Sequence, residues 1–447
     1  MNFDEIGLHV PTILLPRQGI DLNRWAVIAC DQYTSQSNYW ESVKELVGGR
    51  PSTLDLIFPE IYLESEGKEE RIRKIRETMR QFLEDGTLVP QRPGFILVDR
   101  QTCRAQSRKG LVVALDLEKY HYREGAKTLI RATEGTIVER LPPRIRVRES
   151  AEIELPHIMV LIDDPGKTVI EPLFDRPLEQ IYDVALMMNG GRVRGYRVDD
   201  GKQIASIGRA IGRLAGLDVS VDQPIASERD VLLYALGDGN HSFATAKVIW
   251  DKLKAGAADS NTIMNHPARY ALVELVNLYD EGLEFEAIHR VIFNAAPETV
   301  LRGMERFFHS GGMGYTYQYC DTLAEAKDIA GKQNRERTHA IPFMAEGQYG
   351  VSFIERPRFG LEVASLQVFL DDFLKNNPSA EIDYIHGEGA VSELGSKPHT
   401  MGFFLPALSK YQLFKTIAKD GALPRKTFSM GEADEKRFYL ECRKITA

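Results

Sequence analysis

The sequence predicts a mixed α/β protein. Apolar, strand-like runs alternate with amphipathic helical stretches through the first two thirds of the chain. The hydrophobic share of 43% and the charged share of 27% are those of an ordinary globular protein. Near the middle, an apolar run passes through Gly-Asp-Gly directly into a helical stripe, the strand–loop–helix unit from which α/β folds are built.

The 447 residues allow two or three domains, at roughly 100–200 residues each. We expect an N-terminal α/β region over 1–125, a central region over 126–295 that holds the Gly-Asp-Gly loop, and a C-terminal α+β region over 296–447.

Taken in order, Trp25-Ala26-Val27-Ile28-Ala29-Cys30 reads as a buried strand that ends at Asp31. Residues 67–85 read as a charged amphipathic helix with Ile72, Ile75, Met79 and Phe82 on one face. Residues 94–98 and 111–115 are strand candidates. Arg144-Ile145-Arg146-Val147-Arg148 alternates strictly and reads as a strand, whose arginines either attract an anion or pair across a hairpin with Glu152 and Glu154. Residues 158–162 form a buried apolar run, and a helix follows over 203–214. A strand over 231–236 then precedes a helix over 242–254 with the stripe Phe243, Ala246, Ile249, Trp250 and Leu253. The apolar segment 271–278 leads to His289-Arg290. Later helices are expected at 298–308, 322–332, 366–375 and 410–419, with a loop at Ser310-Gly311-Gly312 near a boundary.

The net charge of −8 argues against general nucleic-acid binding, which usually needs a basic surplus. Cys30, Cys103, Cys320 and Cys442 are far apart and form no CxxC, so reduced thiols in a cytoplasmic compartment are expected. The first residues show neither a basic n-region nor an apolar h-region. No apolar run approaches the ~20 residues that span a bilayer, so no membrane association is expected.

The common nucleotide and hydrolase motifs are absent. There is no GxxxxGK[ST], no complete GxGxxG, no HExxH and no GxSxG. Gly237-Asp238-Gly239-Asn240-His241-Ser242 nevertheless makes physical sense as an anion site. Its glycines permit a concave nest of backbone N–H groups, and the following helix adds its N-terminal donors and partial positive charge. Asp238 has the hard carboxylate oxygens that Mg²⁺ prefers, and Asn240, His241 and Ser242 add donors. The plain alternative is a glycine-rich turn with Ser242 as an ordinary N-cap.

Arg131-Ala132-Thr133-Glu134-Gly135-Thr136 is the second candidate. Glu134 has the chemistry to accept a proton from a hydroxyl, and Arg131 to clamp a carboxylate or phosphate, with Thr133 beside them. A surface turn with a local ion pair is the alternative. His157, His289, His386 and His399 are scattered, and each reads as structural. Residues 383–388 form a further local polar cluster.

Five ordered segments together resemble the family called domain of unknown function 1015. They are the run from Trp25 to Gln36, Ile130-Arg131-Ala132-Thr133-Glu134-Gly135-Thr136, Gly237-Asp238-Gly239-Asn240-His241-Ser242, Asp383-Tyr384-Ile385-His386-Gly387, and Leu423-Pro424-Arg425-Lys426-Thr427-Phe428. The Asp-Gly-x-His loop between strand and helix is also similar to the signature of the ParB/sulfiredoxin-like superfamily, some of whose members phosphorylate free L-serine. That resemblance implies a central nucleotide-binding core with flanking α/β regions. It also implies Glu134 as the base, and Asp238 and His241 as the residues that handle phosphate and Mg²⁺. Many relatives carry Arg after the His, where this chain has Ser242, so Lys247, Arg131 or Arg290 would have to supply the phosphate clamp.

The expected activity is phosphoryl transfer from ATP, ADP or pyrophosphate to the hydroxyl of a small metabolite such as L-serine, assisted by Mg²⁺. The phosphates would be held by Arg131, Thr133, Gly237, Gly239, Asn240, Ser242 and Lys247. A non-catalytic nucleotide-binding regulator and a small-molecule phosphatase are the alternatives. The expected partner is a small-molecule substrate, with homo-oligomerisation left open.

Overall fold

Most of the apolar runs between residues 95 and 277 assemble into one mixed sheet. The structure, a computed structural model, describes residues 3–123, 125–216 and 231–447. The chain divides into two compact units, Met1–Glu284 with Gly431–Ala447, and Phe285–Met430. Among the described residues no helix is long and apolar enough to cross a membrane.

Among the described residues the first unit's sheet has nine strands, which we number β1 (Leu8–His9), β2 (Phe95–Gln101), β3 (Arg108–Asp116), β4 (Ile130–Ala132), β5 (Met159–Ile162), β6 (Gln180–Ala185), β7 (Arg192–Val198), β8 (Tyr234–Asp238) and β9 (Tyr270–Asn277). Their order is β6-β7-β2-β3-β9-β5-β8-β4, with β1 paired to one end of β3. The pairs β9–β5 and β8–β4 are parallel, and β8–β5 is antiparallel. Residues 1–125 and 126–295 therefore feed strands into the same sheet.

Both faces of this sheet are covered, which explains why its central strands read as continuous apolar runs. On one face Phe95, Leu97, Leu111 and Val113 pack with Ile204, Ile207, Phe243 and Trp250. On the other, Ile96, Val98 and Val112 pack with Trp25, Ile72, Ile75, Met79 and Phe82. Each large apolar side chain buried in this way stabilises the fold by about 1.5–3 kcal/mol. The helix α1 (Lys68–Glu84) turns the four residues expected of it inward, and an αL glycine, Gly67, precedes it. In α3 (Gly201–Leu214) the N-cap Asp200 accepts from the amides of Lys202 and Gln203.

Residues 144–148 depart from expectation: they lie in the helix α2 (Leu141–Arg148), not a strand. Pro142 and Pro143 explain this. Proline is pre-set for the first helical turn and lacks only an N–H that the turn does not use. The arginines are paired, but from helical positions: Arg144 with Glu60 at 2.5 Å, Arg146 with Glu69 at 3.3 Å and Arg148 with Glu154 at 2.5 Å. The 25–30 run is also reassigned. Trp25 ends a short helix, and only Val27–Ile28 is strand, paired with Phe438–Tyr439.

The second unit holds an antiparallel sheet of β10 (Phe285–Phe293), β11 (Gly314–Cys320), β12 (Thr338–Ala345), β13 (Gln348–Glu355), β14 (Glu381–His386), β15 (Met401–Phe403) and β16 (Phe428–Met430). Their order is β11-β13-β12-β15-β10-β14, with β16 on β10. The helices α5 (Pro297–Ser310) and α6 (Glu362–Asn376) share one core with it. The Ser310-Gly311-Gly312 turn lies within this unit, between α5 and β11. Arg290 is fully buried here, bonded to Gln367 and to the carbonyls of Ile288 and Arg425. His386 ends β14, and Lys426 has a positive φ of 56°.

Candidate functional site

The site is built where the parallel strands β4 and β8 end side by side. Their register pairs Ile130 with Tyr234, Arg131 with Ala235 and Ala132 with Leu236. Beyond the last pair, the Thr133 hydroxyl donates to the Leu236 carbonyl at 2.6 Å. Four residues later the Ile137 amide donates to His241 Nε2 at 3.3 Å. The half-buried Glu134 lies between these two anchors, so the loop that carries it is tied at both ends to the Gly-Asp-Gly-Asn-His segment. The two candidate motifs, about a hundred residues apart in sequence, meet in space.

The Gly-Asp-Gly segment is tighter than a free loop. Gly237 and Asp238 complete β8, Gly239 alone forms the connection, and α4 (Asn240–Gly256) begins at once. Gly239 has φ 77°, and a Cβ there would stand 2.9 Å from Ile158 Cγ1 and 3.0 Å from its Cα, so glycine is required twice over. The helix starts two residues before Ser242, which is its third residue and not its N-cap. Among the described residues no side chain caps this N-terminus. The amides of Asn240, His241 and Ser242 therefore head the helix at its positive end. Among the described residues the buried Asn240 Oδ1 has no hydrogen-bond partner, a polar atom suited to a ligand's donor.

Asp238 is the electrostatic centre. Its Oδ1 accepts from the Gly239 amide at 2.9 Å, and Lys436 Nζ stands 3.1 Å from Oδ2. Burial alone would raise its pKa, but Lys436, His157 and the Gly239 amide together hold it below the usual carboxylate value. His157, on the segment before β5, touches the helix: its Nε2 lies 2.9 Å from Ser242 Oγ and 3.8 Å from Asp31 Oδ2. Its Nδ1 lies 2.8 Å from the Tyr439 hydroxyl, which accepts from the Cys30 amide and donates to Cys30 Sγ, both at 3.2 Å.

Lys247 does not reach this place. Lys247 Nζ binds Asp251 at 2.8 Å, one turn further along α4 and away from its N-terminus. Arg131 is buried in β4 with Nε donating to Thr128 O at 3.0 Å, and Arg290 lies in the second unit. The ammonium beside the loop is Lys436. Sequence reading missed Lys436 and Tyr439 entirely, and took His157 as structural. The signal was weak: Lys436-Arg437-Phe438-Tyr439 carries no motif. Only Cys30-Asp31, within the opening run that resembled the family, hinted that the N-terminal segment contributes.

What holds the C-terminal segment is a buried ionic network. Arg437 pairs with Glu274 and, at 2.6 Å, with Glu441, which also binds the Tyr182 hydroxyl; Arg437 Nε donates to Pro156 O at 2.8 Å. The Ala29 amide donates to the Arg437 carbonyl at 2.9 Å. These bonds fix Lys436 on one side of Arg437 and Tyr439 on the other.

Fold and site together define an α/β protein with an acidic strand–glycine–helix junction and a carboxylate loop beside it. The chain belongs to the family described as "Protein of unknown function (DUF1015)", whose model matches residues 14–383. No curated protein matches it. Among solved structures it is similar to a free serine kinase mutant in complex with AMP, with 10% identity, a TM-score of 0.39, and 78% of this chain and 95% of that one covered. It is also similar to a conserved hypothetical protein from Pyrococcus furiosus, at 13% identity and TM-score 0.36 over 75% and 95% of the two chains. A third likeness is to C-terminally truncated SbnI from Staphylococcus aureus, at 10% identity and TM-score 0.34 over 72% and 82%.

Proposed function

We propose that this protein transfers a phosphoryl group from a nucleotide or pyrophosphate to the hydroxyl of a small metabolite, with L-serine the first to test. The observation that carries the reading is the meeting of the Glu134 loop with the Asp238–His241 junction at the N-terminus of α4. Phosphoryl transfer needs chiefly positioning and charge neutralisation. The amides of Asn240, His241 and Ser242 offer donors to phosphate oxygens, and Lys436 adds a positive charge beside Asp238.

Glu134 has the role of proton acceptor for the substrate hydroxyl, and His241 and Asn240 that of holding the transferring group. Asp238 fits as a magnesium ligand, because it is held ionised and Mg²⁺ is commonly bound by one or two carboxylates together with substrate phosphates. Bound there, the ion would neutralise charge on those phosphates.

The test is to incubate the full chain with L-serine, Mg²⁺ and, in separate reactions, ATP, ADP or pyrophosphate, and to assay phosphoserine. No phosphorylated product with any donor, across a panel of hydroxylated metabolites, would sink the reading.

A further inference from the structure

One constellation at the site is not used by that chemistry. Ser242 Oγ, His157, Tyr439 and Cys30 form a continuous hydrogen-bonded chain, with links of 2.9, 2.8 and 3.2 Å. The Tyr439 hydroxyl has a single proton, and its oxygen already accepts from the Cys30 amide. Burial pushes the Tyr439 phenol and the Cys30 thiol up, so both stay protonated. With the phenol proton turned to Cys30 Sγ, the oxygen accepts from His157 Nδ1–H. In that tautomer the imidazole's lone pair falls on Nε2, facing the Ser242 hydroxyl. This is the relation of a nucleophile to a base oriented by a third group. Asp31 Oδ2, 3.8 Å from Nε2, stands where it would steady an imidazolium. Ser242 is also the third residue of α4, so a group bonded to its Oγ lies beside the amides of the helix start.

We infer that Ser242 is a covalent nucleophile that takes up the terminal phosphoryl group of a phosphoanhydride, with His157 as its base. In this step the bond from Ser242 Oγ to phosphorus forms and the bond from phosphorus to the bridging oxygen breaks. The bridging oxygen leaves with the electron pair on the departing nucleotide or phosphate, and the Oγ proton passes to His157 Nε2. In the return step an acceptor hydroxyl attacks phosphorus, its own proton goes to Glu134, and His157 gives its proton back to Ser242 Oγ. Tyr439 is a positioning residue that fixes the tautomer of His157. The return step rests on the phosphotransfer reading above; the labelling of Ser242 does not.

The experiment uses the full chain and terminally radiolabelled ATP, ADP or pyrophosphate in separate arms, quenched in acid, with the label mapped by peptide mass spectrometry. In a parallel reaction L-serine and the metabolite panel are added and product is assayed. Phosphate on Ser242 of the wild-type chain, absent from Ser242→Ala, supports the inference, and the arm that labels identifies the donor. His157→Asn should slow labelling by about 10²–10⁴-fold. Tyr439→Phe should slow it and shift its pH profile while leaving the KM for the donor unchanged. Phosphorylated metabolite without label on Ser242, and with Ser242→Ala as active as wild type, overturns the inference and leaves the phosphotransfer reading standing. Label on Ser242 without any metabolite product supports the inference and overturns that reading. Neither label nor product overturns both.

Discussion

Lys436 Nζ stands 3.1 Å from Asp238 Oδ2, and both groups are largely withdrawn from solvent, with side-chain exposures of 14% and 27%. Replacing Lys436 with Met removes the partner of a partly buried carboxylate and should cost about 1–3 kcal/mol at pH 7. Because the folded-state pKa of Asp238 is depressed, its contribution is present above the ordinary carboxylate value and is lost as pH falls through its folded value. Urea titrations of the wild type and Lys436→Met should therefore differ at pH 7 and converge in strong acid.

Glu134 offers a cleaner test of chemistry. It lies in a loop anchored through Thr133 and Ile137, by bonds that do not use the Glu134 side chain. Glu134→Gln should reduce turnover by about 10²–10⁴-fold, the usual contribution of a general base. A variant that keeps full activity would remove Glu134 from the mechanism.

Gly239→Ala tests the backbone of the junction. It combines φ 77° with a contact 3.0 Å from the Ile158 backbone. Destabilisation of at least about 1–2 kcal/mol is expected, visible as a lowered thermal midpoint.

Three histidines predict how stability depends on pH. Burial, the largest cause in each case, pushes His9, His289 and His339 down to about 4. The unfolded chain takes up these protons near pH 6.5, while the folded chain refuses them until about pH 4. Stability should fall across that window, by on the order of 3 kcal/mol for each histidine at its lower end, given 1.36 kcal/mol for each pKa unit. Replacing His339, which is fully buried and bonded to Ser365, with Asn should flatten this slope in urea titrations between pH 7 and 4.

The cysteines should separate by reactivity. Cys103 is exposed, whereas burial pushes the thiols of Cys30 and Cys442 well up. Iodoacetamide at neutral pH should alkylate Cys103 first and should reach Cys30 and Cys442 only after denaturation. Rapid native labelling of Cys30 would contradict the hydrogen-bonded thiol described above.

Much of this fold was legible because the chain writes it locally. The stripe Ile72, Ile75, Met79 and Phe82 gave α1, and the apolar run 158–162 gave β5. The Arg144–Arg148 segment misled because its apolar residues alternate with period two, while the decisive signal, Pro142-Pro143, lies just upstream. The Asp238 and Glu134 motifs were legible because special chemistry is concentrated in a few consecutive residues. Lys436, Tyr439 and His157 were not. Each is a single residue brought in by tertiary structure, and nothing local distinguishes a lysine on the surface from one seated on a loop carboxylate.

The first unit is discontinuous: residues 431–447 rejoin it only after the 285–430 unit has intervened. The contact between Cys30 and Tyr439 spans 409 positions. During synthesis, therefore, the ribosome emits the whole Asp238 junction long before the counter-ion and the phenol that complete it. A nascent chain that has released its first 284 residues carries Asp238 and Glu134 but neither Lys436, the partner of Asp238, nor Phe438–Tyr439, the partner of Val27–Ile28. Such long-range closure slows folding. It also delays assembly of the site until translation reaches residues 431–447, so premature termination anywhere in the second unit would yield a chain bearing both motifs and no finished centre.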